Sequence, residues 1–184
     1  MLDVRASPRF HETFTAVLKE LGFAPEISAE GVQHRWRRDL AQIDVLLPEG
    51  IGERAAGRPG AGGARTIESP GTTQALERSA AVEVLVEGRT GSVLRPDLLG
   101  ALVAKAAART EIGTDPAADR HCVDFVVLAG LAAAVDFRAS AMTKKDRSRL
   151  RNMLTYCRRS DEAMVVEHAA EALDRIERVL SRGD

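Results

Sequence analysis

The chain has 184 residues, 45% hydrophobic and 29% charged, with a formal net charge of −1 at pH 7. That is enough apolar material for a compact core, and too even a charge to draw the whole molecule onto nucleic acid or an anionic membrane. Aromatic residues make up only 4%, which argues against a stacking platform for single strands. No run approaches the roughly 20 apolar residues that span a bilayer, so no membrane partner is expected.

Ser7-Pro8 starts the first helix, with Ser7 as cap and Pro8 at the first helical position. Phe10, Phe14, Val17, Leu18 and Leu21 follow at helical spacing until Gly22 stops them. Residues 32–38 and 41–47 read as two strands joined by a tight turn at Asp39-Leu40. The second is apolar except at Gln42 and Asp44, as expected of a central strand. Pro48 to Thr73 is rich in Gly, Pro and Arg, which predicts a long mobile loop or lid. Its run GRPGAGGA lacks the Gly-Lys-Ser/Thr ending of a phosphate-binding loop.

A short helical turn at 74–78 precedes a third strand at 80–87, and Gly88 to Gly91 turns the chain toward a short fourth at 92–94. Pro96-Asp97 opens a helix over 97–110 and Asp115-Pro116 another over 116–135. Thr143 with Asp146 has the form of a capping box for a helix over 143–158. Ser160 caps a last helix over 161–181, whose apolar face is Val165, Val166, Ala169, Leu173, Ile176 and Leu180. The predicted architecture is α+β, a small mixed sheet flanked by helices and followed by a C-terminal helical bundle, with domains at 1–95 and 96–184. Cys122 and Cys157 both fall in predicted helices. With no secretory or transit signal, they read as reduced, buried thiols of a cytoplasmic protein.

Three charged residues stand out because their surroundings are apolar. Asp44, between Ile43 and Val45, needs a cation, a metal or several donors. Either Arg35 or Arg37 on the neighbouring strand supplies a structural salt bridge, or Asp44 is a metal-ligand carboxylate. Lys105 shares a helical stripe with Leu98, Leu102 and Arg109, and Asp124 lies between Val123 and Phe125. These two either form an ion pair between helices, or Lys105 faces a nucleoside triphosphate while Asp124 orients it. The four histidines show no metal-ligand spacing, and His121-Cys122 lacks partner ligands for zinc. His121 reads as packing beside the cleft. The basic stretch Lys144, Lys145, Arg147 and Arg151 is either a solvated helix face or a contact for an RNA backbone.

The strand IDVLLP, the helix PDLLGALVAKAAAR and the helix DRHCVDFVVLAGL together resemble the nucleotidyltransferase family of the AbiEii toxins and their MenT-like relatives. The likeness covers about residues 1–135 and rests mainly on the two helices. It implies a nucleotidyltransferase-like core at 1–95, completed as a nucleotide cleft by the helical region 96–184. Asp44 is then the third catalytic, metal-binding carboxylate, Lys105 with Arg109 binds the triphosphate, and Asp124 lies beside Lys105. The activity implied is transfer of a nucleotide from a nucleoside triphosphate to RNA, with tRNA as acceptor and Mg²⁺ as cofactor. A protein antitoxin is the implied partner. The family's Gly-Ser…Asp-x-Asp motif does not occur before Asp44, and Asp3 is the one candidate remnant of its pair. The chain is expected to be either cut short of that motif or a catalytically degenerate relative that acts as a binding or regulatory module.

Overall fold

A computed structural model describes residues 9–51, 57–111, 118–138 and 142–182. The expected helix start at Ser7-Pro8, Asp3 and the helix-opening Asp115-Pro116 lie outside those residues. The fold is α+β. Contacts divide the chain into two compact units, Met1–Thr73 and Gln74–Asp184. The division falls earlier than the 95/96 boundary read from sequence, because the β-hairpin belongs with the helices that follow it.

In the first unit, helix α1 (Phe10–Glu20) leads into an antiparallel sheet of β1 (Ala24–Glu26), β2 (Arg35–Arg38) and β3 (Ala41–Asp44), in the order β1-β2-β3. Asp39 turns the chain between β2 and β3 with φ 52, a left-handed conformation that Asp tolerates better than most residues. Leu18, Phe23, Trp36 and Val45 pack together beneath the sheet. β3 is not the central strand its sequence suggests. Among the described residues it is an edge, with only Ile43 partly covered. The run looks fully buried because Val45 and Leu47 are buried just past the strand end, where the chain leaves for β4 (Leu47–Pro48).

Nor is the described part of 48–73 a loose lid. β5 (Glu68–Ser69) pairs with β4 in parallel, Leu47 N donates to Ile67 O at 3.0 Å, and Gln33 N donates to Arg65 O at 2.8 Å. The hydroxyl of the buried Thr66 donates to Val45 O. Ala61 N donates to Thr15 Oγ1 at 2.8 Å. Glycine is used here for contact rather than for freedom. A Cβ on Gly60 would stand 2.9 Å from Thr15 Oγ1, so only a hydrogen lets the backbone lie this close to α1.

Helix α2 (Thr72–Glu77) spans the boundary, and β6 (Ser79–Val86) and β7 (Arg89–Pro96) form a hairpin with eight residue pairs. It closes on Glu87-Gly88, both at positive φ, a two-residue turn whose twist suits paired strands. Gly91 is therefore a strand residue opposite Val84, not part of the turn. Asp97 Oδ1 accepts from Gly100 N at 2.7 Å and caps α3 (Leu98–Glu111). α4 (Ala118–Leu131) ends short of the predicted 135. Arg175 Nη1 donates to the carbonyl of Ala132 at 2.9 Å and of Gly130 at 3.3 Å, closing the helix end. Ala133 N then donates to Asp136 Oδ2 to start α5 (Ala134–Arg138). α6 (Lys144–Cys157) begins with the reciprocal Thr143–Asp146 capping box. The predicted 161–181 helix is two helices, α7 (Asp161–Met164) and α8 (Ala169–Ser181), separated where His168 turns left-handed at φ 57. Of its expected apolar face, Ala169, Leu173, Ile176 and Leu180 are buried, while Val165 at the break is exposed. α3, α4, α6 and α8 enclose the core of this unit.

Candidate functional site

Asp44 stands opposite Arg35 in the β2–β3 register. Arg35 Nε meets Oδ1 at 2.9 Å and Nη2 meets Oδ2 at 3.3 Å, while Gln42 Nε2 lies 3.2 Å from Oδ2. The two side chains are about a third exposed. Partial burial works to raise the carboxyl's pKa, but the hydrogen bonds and charge of Arg35, helped by Gln42 and His34, outweigh it and hold Asp44 below its ordinary range. Of the two arginines weighed from sequence, Arg35 is the partner; Arg37 pairs with Glu26 at 2.7 Å.

Lys105 and Asp124 belong to the other unit. α3 and α4 lie side by side, and Lys105 Nζ donates to Asp124 Oδ2 at 2.6 Å. The pair is wet, with side chains 36% and 48% exposed. An ammonium carries three N–H donors, so this contact leaves two for an anion. One helical turn along α3, the Arg109 guanidinium lies over the Tyr156 ring at 4.1 Å, and its Nε is buried with no hydrogen-bond partner among the described residues. Stacking fixes Arg109 in place. The spacing of α3 reveals the Lys105–Arg109 stripe; Tyr156, far along the chain on α6, carries no local signal linking it to them.

Arg109 also faces two thiols. Cys122 and Cys157 are free, buried and adjacent. The hydrogen bond from Cys157, then that of Arg109 and its charge, outweigh burial and bring Cys122 down to about 7, while Cys157 is pushed up as the donor of the pair. His121 is buried in α4, in keeping with a packing role. On α6, Lys144, Lys145 and Arg151 are exposed and Arg147 is half-buried. Further on, Arg158 is engaged with Asp174 and Glu177, at 2.8 Å each.

The structure thus brings Lys105 and Asp124 together in the helical unit, turns Arg109 toward Tyr156 and Cys122, and places Asp44 in the other unit as the partner of Arg35. The family resemblance also implies Mg²⁺ at Asp44. A hard divalent ion takes several free oxygens, and both oxygens of Asp44 are already engaged. Among the described residues, no group of three or more His, Cys, Asp or Glu is placed to hold a metal. As folded here, Asp44 does not fit that ion. No helix among the described residues is long and apolar enough to cross a membrane. No protein-family model, curated protein or solved structure matches this chain.

Proposed function

We propose that this chain is a nucleotidyltransferase-like toxin protein of the cytoplasm, holding a nucleoside triphosphate at Lys105 and passing a nucleotide to RNA, with tRNA as acceptor. The observation that carries this reading is the Lys105–Asp124 contact at 2.6 Å between half-exposed side chains. An exposed ion pair contributes only about 0–1 kcal/mol to folding, so stability gives little reason to fix an ammonium there. A cation held in one place with donors to spare suits a polyphosphate. Arg109, fixed by Tyr156, supplies a second positive group one turn away. Lys144, Lys145, Arg147 and Arg151 offer an acceptor RNA a row of phosphate contacts.

The test is calorimetric titration of the four nucleoside triphosphates in magnesium buffer. Lys105→Ala is expected to weaken binding at least ~10-fold, the loss of about one charged hydrogen bond. Unchanged affinity removes the reading.

A second reading has its own observation. The arginine fork on Asp44 occupies the carboxylate that a transferase would use for metal. It favours a degenerate nucleotidyltransferase-fold module that binds without transferring and pairs with an antitoxin. Incubation with labelled triphosphate, magnesium and bulk tRNA separates the two: label entering tRNA establishes transfer, and binding without label establishes the module.

A further inference from the structure

A groove in the helical unit is lined by neither Lys105 nor Asp124. It runs between α4 and α8 with a volume of about 420 Å³. Val126, Val127, Gly130 and Leu131 line one side, with Val166 and Ala172 on the other. Leu131 is 68% and Val127 49% exposed, although α4 buries its opposite face in the core. Gly130 leaves a notch, since a Cβ there meets no atom within 4 Å.

The lip of the groove is acidic. Among the described residues that line it, Arg175 is committed to the carbonyls at the end of α4. Among the described residues, His168 is the group beside Glu167 and Glu171, at 3.4 and 3.9 Å, and their side chains are 90% and 69% exposed. At those distances the imidazole gives the two carboxylates little compensation.

We propose that this groove binds an amphipathic helix of another polypeptide, one bearing aliphatic residues at helical spacing with Lys or Arg beside them. Two helical ridges with an apolar floor accept the ridge of a third helix. The acidic lip selects cations and opposes an anionic lipid surface. A second copy packed symmetrically on this face would bring the same acidic lip into the interface twice, so a different chain that carries cations is the better match.

Two synthetic helices with identical leucines, one flanked by lysines and one by glutamates, test this by fluorescence anisotropy against the full chain. The lysine helix is expected to bind saturably and ~10-fold or more tighter than the glutamate helix. Gly130→Leu, whose Cβ meets no neighbour within 4 Å and whose side chain fills the notch, is expected to abolish that binding. Glu167→Lys with Glu171→Lys, both at the surface, is expected to invert the preference. Failure of the lysine helix to bind, equal affinity for both helices, or undiminished binding by Gly130→Leu overturns the proposal. So does a dimer in sedimentation that Gly130→Leu dissolves, which assigns the groove to a second copy, or flotation with anionic vesicles. None of these outcomes depends on nucleotide binding.

Discussion

Between Gln74 and Asp184, twenty buried apolar side chains form one cluster among the described residues; between Met1 and Thr73 the comparable cluster has four. The first unit adds specific hydrogen bonds to its smaller core. Thr15 and Thr66 are buried there and tie α1 and Val45 to the glycine-rich return of the chain. Buried area tolerates small displacements, whereas a hydrogen bond between buried groups fails steeply with angle and distance. The helical unit is thus held by quantity of contact and the strand unit by exactness of fit.

The sharpest way to break this contrast is Asp146, the buried acid among the described residues of the helical unit. Asp146 is fully buried, 3.6 Å from Arg78 Nη2, and also completes the α6 capping box. Asp146→Ala is expected to cost about 3–5 kcal/mol, the usual result of leaving a buried charge uncompensated, read as a lowered urea midpoint at unchanged slope. A loss under about 1 kcal/mol would show that area alone holds this unit. Next in size, Gly60→Ala forces a methyl against Thr15 and His11 and is expected to cost about 1–3 kcal/mol. Hydrogen exchange should place that loss in α1, and an unaffected α1 would contradict the close-fit account of the first unit.

A smaller effect is expected at the wet pair. Lys105→Met with Asp124→Leu should change stability by no more than about 1 kcal/mol while lowering triphosphate affinity; a large loss of stability makes the pair structural. The smallest effect comes from His11. Burial lowers its pKa, against a backbone hydrogen bond at Arg58. With the folded value below the unfolded one, both states are neutral at high pH. As pH falls through about 6.5 the unfolded chain takes the proton first, so the first unit loses stability below that pH until the folded imidazole is protonated as well. His11→Gln should flatten that slope in α1 exchange; an identical slope in the variant assigns it to another group.

The same contrast decides what was legible in the sequence. Periodicity found the stripes of α3 and α8, and the Thr143–Asp146 capping box found α6. Periodicity overran the end of α4 and the α7–α8 break, because the causes are distant: Arg175 closing α4, and a left-handed His168 that composition does not mark. In the first unit, the turn at Asp39-Leu40 and the apolar run after it located β2 and β3 but misjudged Asp44 as interior, since the apolar run belongs to the exit toward β4. Glycine content suggested looseness where the structure uses glycine for close approach. At the candidate site, the Lys105–Asp124 contact follows from two charges in apolar helices. The Arg109–Tyr156 stack and the paired thiols depend on how α6 crosses α3 and α4, which no local pattern encodes.

The parallel pairing of Leu47–Pro48 with Glu68–Ser69 also bears on the order of assembly. Its two halves are joined by a long excursion, and closing such a loop is entropically slower than zipping neighbours along a helix or hairpin. On a ribosome, the strand at 47–48 leaves the tunnel well before the segment that completes it. Nascent β4 must therefore wait unpaired while some twenty further residues are made, so the first unit closes only when its last segment has emerged.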